Sequence, residues 1–485
     1  MFPLPKLLSD APVSLVGLLP GAVVAGVFAY VIYQRYFHPL AAYPGPFWAS
    51  LTDLWQVNEF LSLQQPYNLT ELHAKYGEFV RYGPDKLSIT AEEVVPLVYQ
   101  KGGRRLPKTE YYDAFGAKIP NVFGMRDVEL HSIRRRHMSN SFSLSSVKGM
   151  EHYLDDNVKI LREKVTQFAR DGEAFDLKKL LQYYTIDVLG ELAFSRSFGA
   201  QVSDEAESLV PPVVPHTLLG STTGSWPAMT QTLKKWLPAI PHSGLRWLFE
   251  GRAKCARLAA ECVEIRLGEV DRDAEKGSMR RTDLLTNLIL AKHPDTGERL
   301  AKSDLEAEAF GFIEKAAYSV TEVENSLPFL RACVKENFRL TPVFTMPLAR
   351  RVTAPEGIVV AGRHIKQGTS VAVCNHAFHH NPLVWGDDHN LFDPSRWDQE
   401  EIAERARYLM HFGLGSRQCI GKALAQTNIY KLASTLLHEF DFQLADSQEL
   451  EEVSKGRFLG RLPDMMSVGV SDLKGPLMVI AKTRT

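Results

Sequence analysis

One short stretch constrains this chain more than any other: His411-Phe412-Gly413-Leu414-Gly415-Ser416-Arg417-Gln418-Cys419-Ile420-Gly421, followed at once by an apolar helical run from Ala423 to Phe440. Glycines at three points of the loop let its backbone come close to a flat ligand, and a cysteine at the mouth of a helix is biased toward the thiolate, the form that binds iron. Backbone N–H groups around the sulfur would tune its electron donation, and Arg417 is placed to pair with an anionic group of the same ligand. A lone cysteine in a glycine loop is more often an inert structural thiol, so the rest of the chain has to decide.

That rest has ordinary globular composition: 485 residues, 45% hydrophobic and 23% charged. Disordered, collagenous and coiled-coil classes are excluded. A net charge of -1 gives no overall field for nucleic acid, which is therefore not an expected partner. The five cysteines (Cys255, Cys262, Cys333, Cys374, Cys419) form neither a C-x-x-C zinc pair nor a disulfide framework, so the bulk of the chain is expected to face a reducing compartment. The length suits about three domains or one large catalytic unit.

From Ala11 to Gln34 there is no charged side chain, and as a helix this stretch would reach about 36 Å, enough to cross a hydrocarbon core of about 30 Å. Tyr30, Tyr33 and Tyr36 fall where an aromatic belt would sit. No A-x-A-like cleavage site follows, so residues 1–36 are expected to be a retained single-pass membrane anchor. Pro39-Leu40 and Pro44-Gly45-Pro46 make 37–46 a stiff hinge, and 47–485 the body. Lys6 and Arg35 nearly balance and leave orientation open.

The body reads as mainly α with small β-sheets. Helical periodicity runs through Val158–Phe168 and Leu180–Leu192, while Gly77–Tyr82, Ile358–Val360 and Thr369–Val373 read as short strands. Proline and glycine accumulate between Ser208 and Pro241, predicting a mobile loop region that, with Phe115, is a candidate pocket lining. Asn68-Leu69-Thr70 is a formal glycosylation sequon; a glycan on Asn68 would put the body in the lumen.

The complete pattern F-x-x-G-x-R-x-C-x-G from Phe412 to Gly421 resembles the haem-binding signature of the cytochrome P-450 superfamily. The resemblance implies that fold, haem b (iron protoporphyrin IX) as cofactor, Cys419 as the axial iron ligand, and Phe412, Arg417 and Gly421 in the cofactor-binding loop. Glu336-x-x-Arg339 and the Arg396 of Phe392-Asp393-Pro394-Ser395-Arg396-Trp397 resemble the family's buried triad. An i, i+3 pair of this kind is usually an exposed bridge worth little, but buried it needs all three partners. His131-x-x-x-Arg135 resembles the helix that holds a haem propionate, and Arg350 and His379 stand where the family supplies further contacts. Arg134 and Arg136 would then face outward, as a solvated basic surface or as a dock for an acidic electron donor.

The implied reaction inserts one oxygen atom from O2 into a small lipophilic organic substrate, an aromatic compound or secondary metabolite. No nucleotide-binding loop is present, so electrons from NADPH must come through a separate NADPH-cytochrome reductase, with cytochrome b5 as an accessory donor. The resemblance places the protein in the endoplasmic reticulum membrane with a cytosolic catalytic body. The surroundings of Tyr112-Asp113-Ala114-Phe115 and Glu336–Arg339 look most like fungal microsomal members, including benzoate 4-monooxygenase-like enzymes.

One departure stands out. A helix begins at Ser303-Asp304-Leu305-Glu306, a capping-box pattern, and runs through Ile313, but the A/G-G-x-D/E-T-T/S element of the family's central helix does not follow. Glu314-Lys315-Ala316-Ala317-Tyr318 leads instead to Leu327-Pro328-Phe329-Leu330, where the likeness resumes. Part of the central helix and the helix after it are missing, and no oxygen-activating residue can be assigned. Thr321 with Glu322 or Glu324 fits a turn before the Glu336 helix better than a replacement. The competing expectation is a non-catalytic product of an incomplete gene model or splice variant. A third is an isomerase or peroxide-driven enzyme that needs no proton relay.

Overall fold

The computed structural model describes residues 13–100, 106–116, 119–278, 281–292, 296–314, 327–445 and 465–484. Among them the longer helices are α1 (Val13–Ile32), α2 (Leu54–Leu61), α3 (Gln65–Tyr76), α4 (Val128–Ser139), α5 (Glu151–Asp171), α6 (Leu177–Phe194), α7 (Val213–Gly224), α8 (Ser243–Glu275), α9 (Lys302–Glu314), α10 (Pro328–Leu340) and α11 (Lys422–Glu439). The strands are β1 (Phe79–Gly83), β2 (Lys86–Ile89), β3 (Phe175–Asp176), β4 (Arg350–Arg351), β5 (Ile358–Val360), β6 (Arg363–Ile365), β7 (Ser370–Ala372), β8 (Phe440–Leu444), β9 (Met465–Ser467), β10 (Ser471–Leu473) and β11 (Met478–Thr483). The architecture is thus mainly helical with small sheets.

The helices form for reasons visible in their residues. In α5 the buried positions Leu154, Val158, Leu161 and Val165 recur every three or four residues, and Gly172 in the left-handed conformation ends the helix. Their burial joins α5 to α6, α8, α9 and β11 in the larger core, around Tyr184, Val263, Leu285, Phe310 and Val479. A smaller core lies under a four-stranded sheet of order β1-β2-β7-β4, in which only β2 and β7 pair in parallel. All three expected short strands appear in it or in the β5–β6 hairpin. A three-stranded sheet, β3-β11-β8, closes the other end.

Several expectations need correcting. The stretch Ser208–Pro241 is no loose loop: it holds α7, in which ten residues including His216, Leu219, Ser221 and Thr223 are buried. Pro215 sits in its first turn, where a missing N–H costs nothing. Small side chains do the rest, since a Cβ on Gly220 would come within 2.7 Å of the Phe115 ring. Phe115 is correspondingly fully buried among Tyr111 and Phe123. The capping pattern at Ser303 falls inside α9, because Ala301 already accepts the first helical N–H groups from Asp304 and Leu305. Asn68 lies inside α3 and donates to the buried Glu59 carboxylate, a place for a structural amide rather than a loop glycan.

The amino-terminal segment also differs. Among the described residues no helix is long and apolar enough to cross a membrane. Residues 1–12 of the expected anchor lie outside the described residues. Just past α1, the Arg81 guanidinium on β1 donates to the Gln34 carbonyl at 2.8 Å and to its side-chain oxygen at 2.7 Å. The Arg81 N–H adds a bond to the Pro44 carbonyl at 2.7 Å.

Candidate functional site

The loop before α11 is folded back on itself. The Cys419 N–H donates to the Phe412 carbonyl at 2.7 Å and Gln418 N–H to the Gly415 carbonyl at 3.1 Å. Gly415 requires its lack of a side chain: its φ is +63°, and a Cβ would stand 2.3 Å from the Tyr99 carbonyl oxygen. Gly421 is beside the sulfur, where a Cβ would lie 3.9 Å from Cys419 Sγ, an ordinary contact. Behind the loop, His411 stacks on Phe338 of α10 with ring centroids 4.0 Å apart, and Phe412 meets the same ring edge-on at 5.5 Å. Burial pushes the His411 imidazole down to about 3, so it is neutral.

Phe338 is carried by the helix that bears the expected triad, which forms as the spacing predicts. Glu336 Oε1 accepts from Arg339 Nη2 at 2.7 Å and from Arg396 Nε at 2.8 Å, while Oε2 accepts from Arg339 Nε at 3.0 Å. All three side chains are buried, and the leftover guanidinium N–H groups donate to the carbonyls of His379, Leu391 and Asp388 and to the Asp388 carboxylate. His379 belongs to this region. Its Nε2 accepts from Met410 N–H at 3.4 Å and its ring meets Trp385 edge-on, so it is not brought to Arg135, Arg350 and Arg417. Burial, chiefly, holds it well below the ordinary imidazole range.

On the other side of the loop three guanidiniums converge. Arg135 of α4 donates to the Gln418 carbonyl at 2.6 Å, one residue from Cys419. Arg417 donates to the carbonyls of Met125, Arg126 and Asp127 at 2.8, 3.1 and 3.3 Å. Arg350, on β4, donates to Tyr112 Oη at 2.7 Å. Burial and then the neighbouring Arg350 push Arg417 down to about 10, with Arg135 adding to the repulsion. Burial also lowers Arg135, and Cys419 opposes that shift. Among the described residues none of the three forms an ion pair with a carboxylate, and the Asp127 side chain is engaged as the cap of α4, accepting from Leu130 N–H. His131 is buried one turn before Arg135 on the same helix.

Arg134 does not face outward as expected. It turns inward to α9, forming ion pairs with Asp304 at 2.5 Å and with the buried Glu308 at 3.6 Å; Arg136 is exposed. Between α9 and Cys419 lies a cavity with about 780 Å³ of empty space, mouth included, bounded mainly by apolar side chains such as Leu189, Phe312 and Leu424. Asn121 and Glu308 also line it, and sequence reading missed both. The signal for Glu308 was a carboxylate on the buried side of α9, one turn after Leu305; for Asn121 it was the Asn-x-x-Gly124 turn. The expected departure from the central-helix pattern, with Thr321, Glu322 and Glu324, falls within 315–326, which lie outside the described residues.

A soft ligand, a carboxylate-free cluster of cations and an apolar cleft at one place fit a flat, apolar, dianionic iron complex. Comparison with known proteins agrees. The cytochrome P-450 family model matches residues 44–316 and 320–467. The monooxygenase gsfF of Penicillium aethiopicum is 30% identical over 478 residues, covering 88% of this chain and 92% of that protein. Pisatin demethylase of Fusarium vanettenii is 26% identical, covering 89% of each chain, and the monooxygenase poxM of Penicillium oxalicum is 28% identical, covering 90% and 91%. The chain belongs to the cytochrome P-450 family and is an enzyme of the monooxygenase type, with haem b as its cofactor.

Proposed function

We propose that this enzyme inserts one oxygen atom from O2 into a small lipophilic organic substrate, an aromatic compound or secondary metabolite, with electrons from NADPH delivered by a separate reductase. The observation that carries the reading is the meeting of Cys419, three guanidiniums and an apolar cavity. Cys419 would hold the iron; Arg135, Arg350, Arg417 and His131 would hold the propionates; and the triad of Glu336, Arg339 and Arg396 fixes α10, whose Phe338 backs the cysteine loop. When bound, the haem supplies the two-electron activation of oxygen. The apolar walls exclude water from the reacting centre. An acidic donor such as the reductase or cytochrome b5 suits the cleft behind the loop, where Arg407 and Lys422 accompany His411 and Phe412.

The test is the spectrum of purified holoprotein, reduced and exposed to carbon monoxide. A thiolate ligand gives a strongly red-shifted absorption, and Cys419→Ser abolishes it. Wild type without that band overturns the reading.

Membrane attachment through the amino-terminal segment, with the body on the cytosolic face of the endoplasmic reticulum, rests on the uncharged run from Ala11 to Gln34 and on the exposed Val23, Val24, Val27 and Phe28 of α1. Fractionation of full-length protein against a variant lacking residues 1–36 decides it: both soluble at low and high salt sinks the anchor. A second reading, a non-catalytic splice or gene-model product, is favoured by one observation. The alignment with gsfF runs over 478 residues yet takes in only 88% of the 485 here, so that protein holds residues without counterparts in this chain. Sequencing the transcript across the codons for Ile313 and Glu314 separates the two. An inserted segment with the acidic-Thr element supports the monooxygenase, and a contiguous read supports the product without it. Turnover with peroxide in the absence of reductase would mark the peroxide-driven enzyme.

A further inference from the structure

Asn121 carries a side-chain group with no part in the cysteine loop, the triad or the arginine cluster. The residue is 1% exposed. Its backbone carbonyl accepts from Met125 N–H at 2.9 Å, and its Oδ1 accepts from Gly124 N–H at 2.8 Å, a turn that also decides which end of the carboxamide is the oxygen. The other end, Nδ2, is buried and has no hydrogen-bond acceptor among the described residues. It stands against the face of α9 that lines the cavity, because a Cβ added to Gly311 would lie 2.8 Å from it. The segment cannot swing away: Val122 N–H donates to both oxygens of the Glu308 carboxylate at 3.0 and 3.2 Å, one turn before Gly311.

A buried donor that is fixed in direction and lacks an acceptor is costly unless something else supplies one. Of the other polar groups in the cavity, the Glu308 carboxylate is engaged with Val122 and the Thr185 hydroxyl donates to the Leu181 carbonyl; Asn428, whose Nδ2 also has no acceptor among the described residues, belongs to α11, whereas the Asn121 carboxamide is the one that abuts Gly311 of α9. We propose that the Asn121 carboxamide is the preorganised hydrogen-bond donor for the acceptor end of a small ligand bound between the sulfur and α9. Glu308 acts through it as a positioning residue. The proposal rests on the haem-thiolate reading.

The experiment uses full-length holoprotein as wild type, Asn121→Leu and Gly311→Ala, reduced and bound to carbon monoxide as the probe. The red-shifted absorption reports loading, and the infrared stretch of the bound carbon monoxide reports a donor at its oxygen. Loss of the donor shifts that stretch to higher frequency, and both variants are expected to show the shift with the red-shifted band intact. Asn121→Leu that loads with an unchanged stretch overturns the proposal. If Asn121→Leu fails to load, Gly311→Ala, which keeps the turn and displaces only Nδ2, decides by the same measure. If neither loads while both stay folded, the role is structural and the proposal falls. Absence of the red-shifted band in wild type overturns the haem reading first, and this inference with it.

Discussion

Glu336 carries two buried guanidiniums on one carboxylate; among the described residues Arg339 pairs with no other carboxylate, while Arg396 also pairs with Asp388. Glu336→Gln strands the Arg339 charge, leaves Arg396 with Asp388 alone and is expected to cost about 3–5 kcal/mol, read as a lower urea midpoint of holoprotein; an unchanged midpoint would mean that the cluster is not held together by charge. The pair was legible in the sequence as an i, i+3 spacing, yet spacing alone left its burial open. Arg396 was reachable only by resemblance, because it enters from more than fifty residues away. The same holds for Arg135 and Arg350; Arg417 was legible within its loop, but its meeting with the other two comes from tertiary folding that no local pattern encodes. By contrast the cysteine loop was readable in place: its glycines answer to backbone demands within the loop and at Tyr99. Arg134 was misjudged because the acidic face of α9 that captures it is distant in sequence.

At the scale of elements, α7 shows how composition can mislead. Prolines and small polar residues argue for a loop, and their helix propensity is poor, but burial of ten of its twelve residues, in part against Phe115 and Tyr111, outweighs propensity. Its close approach gives a sharp expectation. Gly220→Ala drives a Cβ to 2.7 Å from the Phe115 ring and should cost about 1–3 kcal/mol by overpacking, checked by thermal unfolding. Phe115→Leu in the same background should recover part of the loss, and no recovery would locate the strain elsewhere. The long amphipathic α5 was legible from its period, and so were the three short strands. Helix ends were not: α9 starts before its capping pattern because Ala301 takes over as first acceptor.

At the scale of the whole molecule, five buried or half-buried histidines shape the response to acid. Burial, as the largest cause, lowers His73 to about 4 and His216 and His411 to about 3, and puts His376 and His379 well below the ordinary range. Each is neutral when folded and protonates in the unfolded chain below about 6.5. Stability is therefore full above that pH and is lost as pH falls toward the folded values, by at most about 1.4 kcal/mol per pH unit for each group. His411→Phe, which can keep the stack on Phe338, should flatten the slope of urea-derived stability between about pH 6 and 4. An identical slope would show that His411 does not titrate on unfolding.

The fastening of Arg81 to Gln34 and Pro44 has a mechanical consequence. A tether with slack lets a globule swivel independently of whatever its leading rod is inserted in. Here the turn that follows the rod is bolted to the first strand of a sheet, so any tilt of the rod is passed on as rotation of the entire globule, and the cavity's heading is set at the joint.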